Sequence, residues 1–145
     1  MVVRVQSEPF NVADELKQLK SDKFDIGAEV SFTGIVRDDG ELQFLEIEHY
    51  PAMTESAINA IVAEAKSRWD VKGCVVIHRY GKLPPGDQIM MVATASSHRK
   101  DAFESAEFLM DYLKSRAPFW KKEITDQGGE WVAAKSDDED ALKRW

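Results

Sequence analysis

The chain contains 145 residues, a length that suits one compact core, and we expect a single domain over residues 1–145. Hydrophobic residues make up 43% of the chain and charged residues 31%, which excludes a disordered or fibrous protein. Lysine and arginine number 19 against 26 acidic residues, and the net charge of -7 argues against general binding to nucleic acid or anionic membranes.

Hydrophobic periodicity predicts one helix and two strands in the first third of the chain. Asn11 is a good N-cap, and the apolar stripe behind it predicts a helix over residues 11–20. Apolar and polar residues alternate over residues 28–36 and again over residues 44–50, which is typical of half-buried strands. The turn-forming residues 37–40 lead us to expect a hairpin between these two strands.

A second helix and a second pair of strands follow. Pro51 ends the preceding strand, and Thr54 is a candidate N-cap for a longer helix that ends by residues 70–73. Two apolar runs, at residues 74–80 and 88–95, are separated by a loop rich in proline and glycine. The second run is apolar on both sides, so we expect it to be a central strand.

The pattern after residue 95 predicts a third helix. Ser96 and Ser97 are candidate caps for this helix, and Pro118 cannot continue it. Its predicted inner face consists of Ala102, Phe103, Ala106, Leu109, Met110 and Leu113.

The remaining residues have the pattern of a small hairpin and a surface helix. A turn at the glycines 128–129 predicts a hairpin between residues 123–126 and 131–134, and the acidic residues 136–140 are expected to form a surface helix. Hairpins alternate with helices along the chain, which favours the α+β class. We expect an antiparallel or mixed sheet built from hairpins, with helices packed on one face and a small C-terminal β-hairpin region.

Basic residues are concentrated between residues 114 and 122. Lys114, Arg116, Lys121 and Lys122 occur there with no acidic residue among them. Such a cluster attracts anionic ligands, and a lysine that is crowded by like charge or desolvated has a lowered pKa, which suits it to proton transfer or nucleophilic attack. The alternative is a helix end whose cations interact with the helix dipole, followed by a solvated loop.

His98 and Arg99 lie at the predicted start of the third helix, where free backbone N–H groups and the helix dipole favour an anion. A phosphate site and an exposed first turn without a ligand both fit this pattern.

His98 and Lys114 are sixteen positions apart, so on one helix they lie roughly 24 Å from each other. If both serve one pocket, a second copy of the chain supplies one of them, which implies a two-fold dimer. Otherwise the chain has two separate anion sites or two ordinary charge clusters.

Other candidate residues have competing interpretations. Arg37 follows a predicted strand, where it suits either the rim of a pocket or a solvent-exposed strand edge. His49 and His78 lie on apolar strand faces and are interpreted as structural, and Cys74 is interpreted as a small buried residue. The aromatic residues 119–120 suit either stacking on a heteroaromatic ring or burial as an anchor.

Five stretches of the chain together resemble the large, catalytic subunit of molybdopterin synthase. They are residues 32–37 (FTGIVR), 45–55 (LEIEHYPAMTE), 78–87 (HRYGKLPPGD), 97–99 (SHR) and 110–123 (MDYLKSRAPFWKKE). The resemblance covers nearly the whole chain, and the last stretch is the most specific.

The resemblance implies an enzyme that converts cyclic pyranopterin monophosphate to molybdopterin by adding the two dithiolene sulfurs, in molybdenum cofactor biosynthesis. Each sulfur is expected to arrive as a thiocarboxylate on the C-terminal Gly-Gly of a small ubiquitin-like subunit. Two large subunits are expected to form a central homodimer within a heterotetramer. The resemblance implies no metal or organic cofactor for the transfer.

The resemblance also implies roles for individual residues. Lys114 and Lys121 match the family's two catalytic lysines. The positions that match substrate-binding residues are Ile35, Val36, Arg37, His98, Arg99, Lys122 and Glu123, together with both lysines; Arg116 and Lys135 are candidate additional anion contacts. Family members often have lysine where Ile35 stands and arginine where Lys135 stands. Ile35 therefore lacks the side-chain contact that a lysine makes. Lys135 keeps the positive charge but lacks the planar guanidinium group of an arginine.

Two other classes of protein remain open on the sequence. The first is a non-catalytic anion-binding or scaffold module, and the second is a nucleic-acid-binding protein, which the acidic balance disfavours. We expect a cytoplasmic location, because the chain has one cysteine, no run of about eighteen apolar residues and no apolar stretch among residues 1–10.

Overall fold

The computed structural model describes residues 1–133 and 135–145. Their elements are β1 (Val2–Gln6), α1 (Val12–Leu19), β2 (Ala28–Ile35), β3 (Phe44–His49), α2 (Pro51–Arg68), β4 (Gly73–Arg79), β5 (Gly81–Leu83), β6 (Gln88–Ser96), α3 (Arg99–Arg116), β7 (Phe119–Thr125), β8 (Gly128–Trp131), α4 (Ser136–Ala141) and a 3-10 turn at Leu142–Arg144. This mixture of helices with two mainly antiparallel sheets confirms the α+β class. Within the described ranges, no helix is both long and apolar enough to cross a membrane.

The first sheet has the strand order β1-β4-β6-β2. The central position predicted for β6 is confirmed, since it pairs antiparallel with both β4 and β2. β1 pairs parallel with β4, from Val2 opposite Val75 to Gln6 opposite Arg79. β1 was not predicted, because the alternation covers only residues 3–6 and the partner strand lies far along the chain.

The second sheet has the order β5-β3-β7-β8. The predicted hairpin between residues 28–36 and 44–50 is wrong, although both segments contain a strand. β2 pairs with β6 in the first sheet, whereas β3 pairs with β5 and β7 in the second. The residues between the two strands therefore connect one sheet to the other. Their turn chemistry allows a reversal but does not select the strand's partner.

The predicted N-caps are correct for α1 and wrong for α2. The side chain of Asn11 accepts a hydrogen bond from the N–H of Asp14 at 3.0 Å, as a helix cap should. α2 begins at Pro51, where a proline replaces a helix N–H that has no partner. Thr54 therefore lies inside the helix, and its buried hydroxyl donates to the main-chain oxygen of Tyr50 at 2.7 Å.

Helices cover both faces of the first sheet. α2 and α3 pack on one face, as predicted, where Ile58 and Phe108 are fully buried in one cluster with Val76. The prediction that the helices lie on one face only is wrong for α1. α1 covers the opposite face, where Leu19 packs in a second cluster with Val75. Because β4 and β6 are apolar on both faces, each face needs a covering helix.

The predicted inner face of α3 is correct except at Phe103. Ala102, Ala106, Leu109 and Leu113 are buried, and Met110 is partly buried. Phe103 is 58% exposed. It follows Ala102 directly and is therefore turned by about 100° from the buried stripe.

The predicted C-terminal hairpin forms from β7 and β8, with Thr125 opposite Gly128. Its turn lies at residues 126–127 rather than at 128–129, because both glycines belong to β8. Gly128 has a φ of +112°, a conformation that side-chain-bearing residues rarely adopt. The predicted end of the second strand, Ala134, lies outside the described residues. The expected surface helix is α4.

Candidate active site

The end of α3 and the strand that follows it bring two lysines together. Lys114 lies in the last turn of α3, and Lys121 lies on β7 opposite Ile47 of β3. Partial burial lowers the pKa of the Lys121 ammonium from its usual 10.5, and the positive charges of Lys114 and Lys135 lower it further. The carboxylate of Asp138 acts in the opposite direction. Lys121 is therefore a partly desolvated amine beside a second cation, which suits proton transfer and the binding of an anion.

Aromatic side chains line the protein interior beside Lys121. Phe119 lies two residues before Lys121 on the same face of β7, and its ring stacks on His78 with centroids 3.6 Å apart and planes at 15°. His49 and Tyr80 extend this group, with centroids 4.6 Å apart. Burial lowers the pKa of His78 to about 3, so its imidazole is neutral. These contacts fit a structural role for both histidines, which help to keep water from one side of Lys121.

The strand places Lys121 and Lys122 on opposite faces, because successive side chains of a strand alternate. The ammonium of Lys122 lies 5.2 Å from the ring centroid of Trp131, a cation–π contact on the outer face of the sheet. Glu123 shares the face of Lys121 and is exposed, and Trp120 is 51% exposed on the outer face. Side chains that are consecutive in the sequence are thus divided between two surfaces.

The predicted binding residues after β2 differ strongly in accessibility. Ile35 is 57% exposed, and Arg37 is exposed as well. Val36 is only 3% exposed and belongs to the same core cluster as Leu113, the residue before Lys114. Both main-chain groups of Val36 are already bonded at 2.8 Å to the loop before β6. Val36 is therefore a buried structural residue with no free main-chain polar group.

The start of α3 lies at the other end of the helix from Lys114. His98 is the N-cap residue, with no side-chain cap bond, so the predicted caps at Ser96 and Ser97 are wrong. His98 and Arg99 are exposed, and the helix continues from Arg99 to Arg116. The separation of roughly 24 Å expected for a continuous helix therefore applies. Within one chain, the structure does not bring this pair to the lysines.

The segment of residues 135–145, here called the C-terminal segment, lies beside the lysines. Arg116 is engaged by this segment, since its Nη1 donates to both carboxylate oxygens of Glu139 at 2.7 and 2.8 Å. Lys135 is the exposed N-cap residue of α4, and Asp138 lies beside the lysine pair. Asp138 was not among the predicted site residues, because an acidic run has the pattern of a solvated helix face and gives no sign of its neighbours.

A groove of about 380 Å³ lies between β2, α3 and the C-terminal segment. Its apolar part includes Phe32, Phe103 and Met110. Its charged lining consists of Glu107, Asp111, Lys114, Asp138 and Arg144, so Lys114 shares the groove with three carboxylates and one other cation. Among residues 1–133 and 135–145, no group of three or more histidine, cysteine, aspartate or glutamate side chains is placed to hold a metal ion.

Comparison with known proteins relates this arrangement to one family. A family model described as MoaE protein matches residues 5–116. The molybdopterin synthase catalytic subunit of Cereibacter sphaeroides is 58% identical over 146 aligned positions and covers 100% of both chains.

Solved structures show the same relationship. A molybdopterin biosynthesis MoaE protein from Burkholderia ambifaria superimposes with a TM-score of 0.87 at 50% identity, covering 99% of this chain and 97% of the other. A structure described as molybdopterin synthase from Staphylococcus aureus gives a TM-score of 0.81 at 32% identity, covering 89% and 95%. Since sequence and fold agree over nearly its whole length, the chain belongs to the MoaE family of molybdopterin synthase catalytic subunits.

Proposed function

We propose that this chain transfers sulfur to cyclic pyranopterin monophosphate and thereby forms the dithiolene of molybdopterin. The sulfur donor is the C-terminal thiocarboxylate of a small ubiquitin-like subunit. The observation that carries the proposal is the pairing of Lys114 with the partly buried Lys121. Both the thiocarboxylate and the phosphorylated pterin are anions, and adjacent cations at a partly desolvated surface bind and orient such groups.

We assign related roles to the two lysines. Lys114, exposed at the end of α3, orients the thiocarboxylate and polarises its carbonyl. Lys121 stabilises negative charge or carries a proton as the sulfur attacks the pterin. Each transfer forms one carbon–sulfur bond on the pterin in place of a carbon–oxygen bond, whose oxygen leaves as water or stays on the opened phosphate ester. Water then hydrolyses the acyl–sulfur bond and leaves a carboxylate on the donor. Two thiocarboxylates therefore supply the two sulfurs, and the single cysteine of the chain, which is buried, is not needed as a sulfur carrier.

The active unit is a homodimer with a small subunit at each end. A phosphate held by His98 and Arg99 lies too far from Lys114 of the same chain to react there, since the helix between them is continuous. In a two-fold dimer, the helix start of one copy meets the lysine pair of the other. Each composite site then contains groups from two chains.

We assign different roles to the remaining predicted contact residues. Arg37 and Lys135 are both exposed and are assigned to the pterin phosphate, and the charge of Lys135 also acts on Lys121. Ile35 supplies an apolar surface, and Glu123 borders Lys121 on the same strand face. Lys122 projects to the outer face and is assigned to the edge of the site.

We place the reaction in the cytoplasm. Cys74 is the single cysteine of the chain and is buried, so the fold uses no internal disulfide and needs no oxidising compartment. Burial raises the pKa of its thiol to about 12, which leaves it unreactive at neutral pH.

The direct test incubates the purified chain with a thiocarboxylated small subunit and cyclic pyranopterin monophosphate and follows the pterin by mass spectrometry. We expect the product to gain two sulfurs. Lys114→Ala should reduce this conversion by at least about a hundredfold while still binding the small subunit, and Lys82→Ala, on the outer sheet face, is the matched control. A folded wild-type chain that gives no sulfur-containing pterin contradicts the proposal. Unchanged conversion by Lys114→Ala removes this residue from the mechanism and favours a lysine site that only binds.

A further inference from the structure

The C-terminal segment is attached to the body of the protein by its last residues. The ring of Trp145 makes edge contacts with Trp69 and Phe108, at centroid distances of 5.5 and 5.7 Å and interplanar angles of 86° and 87°. Phe108 is fully buried, so Trp145 reaches the main core from outside. Aromatic contacts of this kind contribute about 0.5–1.5 kcal/mol each beyond the area they bury.

Asp111 of α3 accepts hydrogen bonds from the last two residues of the segment. The indole Nε1 of Trp145 donates to its Oδ2 at 2.6 Å. The guanidinium of Arg144 donates to the same oxygen through Nε at 3.1 Å and through Nη2 at 2.7 Å. The main-chain oxygen of Trp145 also accepts from Arg68 of α2. The end of the segment is therefore bonded to both helices that cover this face.

The start of the same segment contacts α3 beside the lysines. The hydroxyl of Ser115, the residue after Lys114, donates to the main-chain oxygen of Asp138 at 2.9 Å. Asp138 and Lys114 line the same groove. The Arg116–Glu139 ion pair lies one residue further along the segment, but both partners are more than half exposed, so it is worth at most about 1 kcal/mol.

The exposed contacts near the lysines are too weak to hold the segment by themselves. α4 has six residues and no side-chain cap bond, and a helix of this length is unstable in isolation. Most of the stabilisation must therefore come from the partly buried end at Trp145. The position of residues 135–138 depends on an anchor at the opposite end of the segment.

We propose that Trp145 is a positioning residue for the sulfur-transfer site, which it serves by fixing the C-terminal segment so that Lys135 and Asp138 lie beside Lys114 and Lys121. This inference rests on the proposed function. Trp145 does not touch the reacting groups and acts through the segment. Loss of the anchor releases a cation that binds the substrate phosphate and a carboxylate that opposes the mutual repulsion of the lysines.

The test compares Trp145→Ala, Trp145→Phe, Asp111→Asn and the control Lys143→Ala in the full chain with its thiocarboxylated partner. Lys143 belongs to the same segment, is 80% exposed and pairs locally with Asp140, so its loss should change nothing. Amide hydrogen exchange of residues 136–141 reports the order of the segment and requires no turnover. Steady-state kinetics report KM for the cyclic pterin separately from kcat.

Trp145→Ala should speed exchange in α4 at least about tenfold and raise KM about tenfold with kcat changed less than threefold, because substrate positioning is lost before chemistry. Trp145→Phe, which keeps the ring contacts, should restore KM to within about threefold of the wild type. Asp111→Asn keeps the aromatic core intact and should show the same direction of change, so the proposal stays testable if Trp145→Ala fails to fold.

Unchanged exchange in the folded Trp145→Ala or Asp111→Asn protein overturns the anchor. Faster exchange with KM equal to that of Lys143→Ala overturns the positioning role. Failure of the wild-type chain to form any product contradicts the proposed function instead, and the exchange measurement still decides the anchor.

Discussion

Lys114 lies close enough to Lys121 for its positive charge to lower the pKa of the second ammonium. Lys114 lies in the last turn of α3 and Lys121 lies on β7, so two consecutive elements bring the two like charges together. Asp138 opposes this repulsion from a third element, since its carboxylate acts on Lys121 in the opposite direction to Lys114. Binding of the anion proposed for this site would reduce the repulsion further.

The first prediction concerns the titration of Lys121. Lys114→Met removes a neighbouring positive charge and should raise the pKa of Lys121, whereas Asp138→Asn removes a negative charge and should lower it. Side-chain NMR of isotope-labelled lysine measures both shifts in the folded protein. Lys135→Met should act in the same direction as Lys114→Met, and Lys82→Met serves as the control. Shifts of the same sign in Lys114→Met and Asp138→Asn would show that the two groups do not face Lys121 as described.

The second prediction tests the composite site by mixing inactive variants. Lys114→Ala and Arg99→Ala should each lose activity as homodimers. In a mixed dimer, one site carries both substitutions and the other carries neither. Random re-association of equal amounts should therefore restore about one quarter of the wild-type activity per site. If native mass spectrometry shows mixed dimers but no activity returns, each chain combines its own Lys114 with its own Arg99.

The third prediction concerns acid stability and His78. Burial lowers its pKa to about 3, whereas the unfolded chain protonates this group near 6.5. The unfolded state therefore binds more protons between these values, so the stabilisation is complete above about pH 6.5 and is lost as the pH falls towards 3. The loss attributable to this group is of the order of a few kcal/mol.

Denaturant unfolding at several pH values measures this dependence. His78→Leu should remove part of the slope between about pH 6 and pH 4, because there the imidazole of His78 is protonated in the unfolded chain and neutral in the folded one. His98→Gln, at an exposed position, should leave the slope as it is in the wild type. A His78→Leu protein with the wild-type slope would contradict the buried, neutral assignment.

The fourth prediction separates Arg116 from the substrate contacts. Its guanidinium already binds both carboxylate oxygens of Glu139, so Arg116→Gln should raise KM for the cyclic pterin by less than about threefold. The exposed pair should contribute about 0.5 kcal/mol to stability. Lys135→Gln, which removes a cation assigned to the phosphate, should raise KM more strongly. If Arg116→Gln raises KM as much as Lys135→Gln or more, Arg116 contacts the substrate anion.

Local patterns predicted most of the helices and strands but not their partners. The alternation over residues 28–36 identified β2 correctly, yet its partner is β6 rather than the neighbouring strand in the sequence. β1 was missed because its pairing with β4 is long-range and its own pattern is short. Strand pairing depends on which surfaces meet in the folded chain, and a short segment contains little of that information.

The sequence likewise predicted individual residues of the candidate site but not their arrangement. The density of cations between residues 114 and 122 pointed to the lysine pair, and the length of α3 separated it from His98. Lys121 and Lys122 were grouped together, although the alternation of a strand places them on opposite faces. The strand was predicted only over residues 123–126, so the alternation was not applied to the two lysines.

By itself, the sequence determined that this chain is a small α+β protein with a cationic cluster suited to an anionic guest, because periodicity and charge are local properties of the chain. Only the tertiary structure decided that Asp138 faces the lysines, that Arg116 is occupied by Glu139 and that Trp145 anchors their segment. These relationships join residues that are far apart in the chain. They depend on the burial and packing of the whole molecule, which no local pattern encodes.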